Sequence, residues 1–300
     1  MAQQTQRLNY LIFAYGSNLH LEDLLQWFQD RPELTSPNII AKEPAWCPNY
    51  QPIYNYYSTG RKGGALDLIP ALGHVTSGAL FTIDAETLAS IKRKEGCDKF
   101  YEQHELLVLT ADGKAHHAIT FLTVPSQRKA THTPPTEKYA SLVRLGQCAF
   151  GHDPIAMEQA AANAPITPII TTLFVYGTLM AQESRSHILS QYKISERNMG
   201  KISGRLFDLG SYPGLRPAQE PSDWVYGECI RLENCATALQ EIDEIEGFSD
   251  FSAPDNLYER RLVYVTLEET RLQLAWVYFY HQEPSEKRIK QGRWQSTQSY

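Results

Sequence analysis

The apolar run Leu11-Ile12-Phe13-Ala14 breaks off at Tyr15-Gly16-Ser17-Asn18-Leu19, and the same order of events returns 161 positions later, where Leu173-Phe174-Val175 runs into Tyr176-Gly177-Thr178-Leu179. A short apolar run closed by a glycine predicts a buried strand followed by a tight turn. Further along, Gly78-Ala79-Leu80-Phe81-Thr82-Ile83-Asp84 matches Gly227-Glu228-Cys229-Ile230-Arg231-Leu232-Glu233 at a spacing of 149. Each reads as a strand entering a helix start. The next match is tighter: Leu88, Ile91 and Glu95-Gly96 recur as Leu239, Ile242 and Glu246-Gly247, all at a spacing of 151. Tyr101-Glu102 then corresponds to Tyr258-Glu259, each leading into a β-like run. Four features in one order, with spacings that drift only by loop-sized insertions, identify a tandem duplication.

The first unit is expected to span residues 1–163, with helices over Glu137–Leu145 and around Met157–Ala162. Residues 164–172, with Pro165 and Pro168 and no charge, read as a linker, and the second unit is expected over 173–300, its polar tail from Pro284 packing only through Trp294. Each unit reads as strand, tight turn, helix, a long irregular stretch, strand, helix ending at Glu-Gly, loop and two more strands. Those last strands are expected near His104–Thr110 and His117–Val124, and near Arg260–Leu267 and Leu272–Tyr280. The pattern predicts an α+β fold in which each unit curls a small mixed sheet into a partial barrel with helices outside.

Composition narrows the function. The 300 residues carry 28 basic and 34 acidic side chains, net −6, and both halves are mildly acidic, so no nucleic-acid partner is expected. The apolar stretch Tyr10–Tyr15 is too short for a signal-peptide core or a membrane span, and the expectation is a soluble, cytoplasmic protein with no membrane partner. Cys47, Cys97, Cys148, Cys229 and Cys235 form an odd set without C-x-x-C spacing and read as reduced thiols. No His-x-x-x-His pair occurs, and His116 and His117 are adjacent in a strand-like run, pointing to opposite faces, so no metal site is expected. Serine-hydrolase, dinucleotide-binding and P-loop motifs are missing too, and no cofactor is expected.

One residue type stands on the wrong face. Positions 88, 91 and 95 share a helical stripe that Leu88 and Ile91 mark as buried, and 239, 242 and 246 repeat the arrangement. Glu95 and Glu246 are therefore expected to point inward, where desolvation raises a carboxyl pKa towards the range useful for general acid–base chemistry. Gly96 and Gly247 suit left-handed helix caps. The Tyr-Gly-x-x turns read either as routine strand-to-helix turns or, with glycine allowing close backbone approach, as sources of N–H groups for an anion or a developing oxyanion. Tyr101 and Tyr258 read equally well as core aromatics or site residues.

Taken together, Phe13-Ala14-Tyr15-Gly16-Ser17-Asn18, Arg61-Lys62-Gly63-Gly64, Gly73 to Gly78, Lys94-Glu95-Gly96 with Tyr101, and the segment Pro135 to Gly146 resemble the gamma-glutamylcyclotransferase family. The second unit, with Tyr176-Gly177-Thr178-Leu179, Tyr212-Pro213-Gly214, Tyr226-Gly227-Glu228, Ile242 to Gly247 and Tyr258-Glu259-Arg260, resembles the gamma-glutamylamine cyclotransferase branch. The resemblance implies two tandem domains of that fold and an enzyme that releases 5-oxoproline from a small-molecule gamma-glutamyl amide without cofactor or metal. It implies Glu95 and Glu246 as proton-transfer residues. Tyr15, Gly16, Ser17, Asn18 and Tyr101, with Tyr176, Gly177, Thr178, Leu179 and Tyr258, are implied to hold substrate. A binding or scaffold protein on the same fold, and an amide hydrolase using the same carboxylate, are the competing readings. Lys92, Arg93 and Lys94 precede Glu95 and are expected to weaken it as a base, so the second unit is favoured for turnover. Leu179 and Phe248 predict a less polar leaving amine in the second unit, and Ser17-Asn18 with Lys94 and Asp98 a charged leaving group in the first.

Overall fold

The computed structural model describes residues 9–268, 271–284 and 287–295. The chain divides into two compact units, with the division after Ile169.

In the first unit, β1 (Asn9–Ala14), β2 (Ile39–Ser58), β3 (Gly63–Asp84), β4 (Tyr101–Thr110) and β5 (Ala115–Thr123) close a barrel in the order β1-β3-β2-β4-β5. β1 runs antiparallel to β3 and meets β5 in parallel at Ile12 and Ile119, so the barrel is mixed. Around it lie α1 (Leu21–Gln29), α2 (Ala85–Glu95), α3 (Glu137–Ala149) and α4 (Ile155–Ala161). The α3 helix runs four residues past the expected end at Leu145.

The expected irregular stretch before Gly78 is instead a long hairpin. β2 and β3 pair from Ile39–Ile83 out to Ser58–Gly63. Three prolines in β2, Pro44, Pro48 and Pro52, argue against a strand in local sequence terms. The ladder accommodates them with register shifts, one of them at Asn49, whose φ of 60° puts a bulge between Pro48 and Tyr50.

The second unit repeats the plan with shorter arms. β6 (Thr172–Val175), the single-turn helix α5 (Ser186–Ser190), β7 (Ile194–Ser203), β8 (Arg205–Asp208), β9 (Pro213–Arg216), β10 (Trp224–Leu232), α6 (Cys235–Glu246), β11 (Tyr258–Thr266), β12 (Leu272–Tyr280) and β13 (Arg288–Ile289) follow in order. A second closed barrel has the order β10-β6-β12-β11-β7, with β6 and β12 parallel, and β13-β8-β9 form a small separate sheet. The tail does more than seat Trp294. Arg288 and Ile289 pair with Phe207 and Leu206, the Tyr226 N–H donates to the Gly292 carbonyl at 2.8 Å, and Arg288 pairs with the buried Asp223. A polar tail offers backbone donors and acceptors to an open sheet edge whatever its side chains are.

The two Glu-Gly helix ends form as their sequence dictates. Gly96 and Gly247 lie in the left-handed region at φ 59° and 62°. The next N–H folds back onto the helix, Cys97 to the Lys92 carbonyl at 3.0 Å and Phe248 to the Asp243 carbonyl at 2.8 Å. Each cap stops its helix with the glutamate as last residue. Leu88 and Ile91, like Leu239 and Ile242, are buried against their barrels, which fixes the face from which each glutamate projects.

Candidate active site

In the first unit, β1 delivers Tyr15 to the barrel interior, where its hydroxyl donates to the Phe121 carbonyl at 2.6 Å. The buried Gln147 amide of α3 holds the turn from outside, donating to the carbonyls of Tyr15 at 3.2 Å and Ser77 at 3.0 Å. After Gly16 the chain winds into a 3-10 turn over Ser17–Leu19, which brings Asn18 to the end of α2. There the Asn18 amide donates to Glu95 Oε1 at 2.8 Å, and Lys94 Nζ donates to Asn18 Oδ1 at 2.7 Å while lying 3.7 Å from Glu95 Oε1. Burial pulls the Lys94 ammonium below its usual range, against the opposing pull of the Glu95 charge. The Tyr101 hydroxyl donates to the Leu66 carbonyl at 3.3 Å, and Tyr139 of α3 accepts from the Leu66 N–H. A cavity of about 40 Å³ remains, lined by the whole Tyr15–Asn18 turn, Glu95, Tyr101 and Tyr139.

The second unit places matching residues around a larger cavity of about 150 Å³. Tyr176, Gly177, Thr178 and Leu179 line it together with Glu246 and Tyr258. The Tyr176 hydroxyl donates to the Tyr278 carbonyl at 2.7 Å, and the Tyr258 hydroxyl donates to the Pro213 carbonyl at 2.8 Å. Both tyrosines line the cavity while their hydroxyls are spent on the fold. Beyond the cavity wall, Asp243 accepts from Tyr278 and from Arg260, each at 2.6 Å.

The two carboxylates differ in their partners. No hydrogen bond from a described residue reaches Glu246, and burial pushes its carboxyl up to about 7, partly offset by the positive charge of Arg185. At Glu95, by contrast, Asn18 and Lys94 occupy the carboxylate side of the turn. The position of Lys94 is taken in the second unit by Ile245, a residue that can neither donate nor carry charge.

The turn itself is a donor array. Among the described residues the N–H groups of Gly177, Thr178 and Leu179 donate to no protein acceptor, while the Gly177 carbonyl accepts from Met180 and the Thr178 carbonyl from Arg185. Successive unused N–H groups in a turn that lines a cavity can seat an anion or an oxyanion. In one cavity with a carboxyl that burial raises to about 7, they equip it for proton transfer beside a carbonyl that gains negative charge.

All twelve residues singled out in the sequence therefore line one of two cavities, five with Glu95 and five with Glu246. Phe248, expected at the rim of the second cavity, lies elsewhere. The left-handed cap at Gly247 turns the chain so that Phe248 packs against the Arg260 guanidinium, 5.1 Å from its ring centre, with Phe251 and Trp276 on the same cation. In its place Leu257, Tyr212 and Pro213 join Leu179 around the cavity, and the cation Arg185 stands among these apolar residues, so the rim is not the Phe248 rim expected. Tyr212 and Pro213 are part of the motif pattern in the sequence, but nothing local marks Arg185, Tyr278 or Tyr139 as cavity residues. Among the described residues no group of three or more His, Cys, Asp or Glu side chains could hold a metal ion, and all five cysteines are free.

Comparison with known proteins gives a family model, described as gamma-glutamyl cyclotransferase, AIG2-like, that matches residues 12–141 and again 173–296. A curated relative, the gamma-L-glutamyl-butirosin B gamma-glutamyl cyclotransferase of Niallia circulans, is 31% identical over 112 residues, which are 37% of this chain and 67% of the relative. Among solved structures, one titled gamma-glutamyl cyclotransferase is 21% identical, with 54% of this chain and 89% of that chain covered at a TM-score of 0.43. YkqA from Bacillus subtilis is 13% identical, with 93% of this chain and 86% of that chain covered at a TM-score of 0.36.

Proposed function

The chain belongs to the gamma-glutamyl cyclotransferase, AIG2-like family, which it matches in both units, and from that premise we propose that it cleaves gamma-glutamyl amides to 5-oxoproline and a free amine, with Glu246 as the principal acid–base residue. The observation that carries the reading is one cavity lined both by the Glu246 carboxyl, which no described residue hydrogen-bonds and which burial raises to about 7, and by Gly177 to Leu179, whose N–H groups have no acceptor among the described residues. In this reaction the substrate's own α-nitrogen attacks its γ-carbonyl carbon, so no protein nucleophile is required. Holding the five-membered approach supplies an effective molarity on the order of 10⁵ M or more.

The ionised Glu246 takes one proton from the α-ammonium and frees its lone pair. The C–N bond of the lactam forms, and the γ-oxygen becomes an oxyanion facing the turn donors. Protonated Glu246 delivers its proton to the departing nitrogen as that C–N bond breaks, while the new ring nitrogen gives up a second proton that ends on the same amine. Two protons leave the α-nitrogen and two arrive on the leaving group, so the carboxylate ends as it began. A group that accepts and returns a proton within one turnover works best with a pKa near the operating pH. Tyr176 and Tyr258, whose hydroxyls are bound to carbonyls, serve as walls, and so do Tyr15 and Tyr101 in the first unit.

The test is to incubate the full chain with gamma-glutamyl-alanine and identify products by mass spectrometry. Alanine with 5-oxoproline is expected. Alanine with glutamate would identify a hydrolase, and binding without products would identify a ligand-binding protein; either overturns the proposal.

A further inference from the structure

Arg185 follows the Tyr176–Leu179 turn, immediately before α5, and lines the same cavity as Glu246. Its backbone is anchored, with the N–H donating to the Thr178 carbonyl at 2.9 Å, so the side chain springs from a fixed point beside the turn. Every other arginine of this unit is occupied. Seven pair with carboxylates. Arg205 donates to the Pro217 carbonyl, and Arg293 lies over the Tyr226 ring. Among the described residues the guanidinium of Arg185 has no hydrogen-bond or ion-pair partner, and its charge acts on the Glu246 carboxyl that lines the same cavity.

A half-buried arginine with no partner on a cavity wall is set up for an anion from outside the protein, and its planar fork suits a carboxylate. The turn N–H groups already supply donors for the glutamyl end of the substrate. We propose that Arg185 binds the carboxylate of the leaving amino acid and makes the second unit selective for gamma-glutamyl amino acids over gamma-glutamylamines. The inference rests on the cyclotransferase reading and deepens it. It also accounts for a difference between the units: in the first unit the cation beside the site glutamate, Lys94, is tied to Asn18, whereas Arg185 has no hydrogen-bond or ion-pair partner among the described residues.

Gamma-glutamyl-alanine and gamma-glutamyl-ethylamide have leaving groups that differ only in the carboxylate, and both use Glu246. The ratio of their kcat/KM values therefore cancels any change that a substitution at 185 makes in Glu246 itself. The measurement uses the full chain carrying Glu95→Gln, so that the first unit contributes no turnover. The parent is expected to prefer gamma-glutamyl-alanine. Arg185→Gln is expected to lower kcat/KM for gamma-glutamyl-alanine by about tenfold or more relative to the ethylamide. Arg185→Lys, which keeps the charge and loses the fork, is expected to fall between. Equal losses on both substrates, no loss on either, or a parent that prefers the ethylamide would overturn the assignment. A parent that releases 5-oxoproline from neither substrate would overturn the cyclotransferase reading, and the assignment with it. Because Arg185 holds no side chain of the fold, circular dichroism of the variants is expected to match the parent.

Discussion

Glu246 and Glu95 hold equivalent places at the ends of matching helices, yet one carboxylate is left to the cavity and the other is engaged by Asn18 beside Lys94. With burial raising its carboxyl to about 7, Glu246 is mostly a base above neutrality and mostly protonated below it. Glu246→Gln keeps the shape and removes the proton acceptor. In a Glu95→Gln background it is expected to cut 5-oxoproline release about a hundredfold or more while leaving substrate binding within a few-fold. In the unsubstituted second site, kcat/KM is expected to fall as pH drops through about 7, because the base becomes protonated. A pH profile measured with a neutral leaving group checks this without interference from a substrate carboxylate.

The same shift has a consequence for stability, with a definite sign. Between the unfolded value near 4.5 and the folded value near 7, the native state binds a proton that the unfolded state has lost. Stability from this group is therefore complete below about 4.5 and declines as pH rises through 7. Glu246→Gln is expected to be more stable than the parent at pH 8, by on the order of 1–3 kcal/mol and with a correspondingly higher Tm, and to show little difference at pH 4.5. Paired thermal melts at the two pH values measure it.

At the scale of elements, the repeat preserves positions where backbone approaches backbone. Gly78 on β3 and Gly227 on β10 are equivalent, and both face the strand that carries the turn. A Cβ at 78 would lie 2.3 Å from the Ala14 carbonyl oxygen, and one at 227 would lie 2.1 Å from that of Val175. Neither oxygen can swing aside like a side chain, because each is a backbone atom of the last residue before the Tyr-Gly turn. Gly227→Ala is expected to cost about 2–3 kcal/mol. It is also expected to lower activity by displacing Tyr176. Gly247→Ala, which meets a side chain and a left-handed φ of 62°, is expected to cost about 1 kcal/mol. Denaturant titration of the two variants orders them. The turns, the capped helices and the last two strands of each unit were legible as local patterns. β2 was not, because its prolines speak against a strand in any local reading and only the pairing with β3 around the Asn49 bulge makes room for them.

For the whole molecule, two copies of one barrel carry cavities of about 40 and 150 Å³, with a spoken-for carboxylate in the smaller and a free one in the larger. Glu95→Gln in the otherwise unaltered chain is expected to retain most of the 5-oxoproline released from gamma-glutamyl-alanine, and Glu246→Gln to retain little. Reversal of that order would move the principal activity to the first unit. The duplication, the glycine turns, the helix stripes and the carboxylates at the Glu-Gly ends follow from the sequence itself. Each depends on residues a few positions apart, where sterics, periodicity and capping act without knowledge of the rest of the chain. Which carboxylate is free depended on the tertiary structure. Asn18 reaches Glu95 across 77 positions, Tyr278 reaches Asp243 across 35, and Arg185 enters its cavity from the loop before α5, distant in sequence from Glu246. Such meetings are set by strand register, bulges and barrel closure, and these are properties of pairings between segments that no single segment encodes.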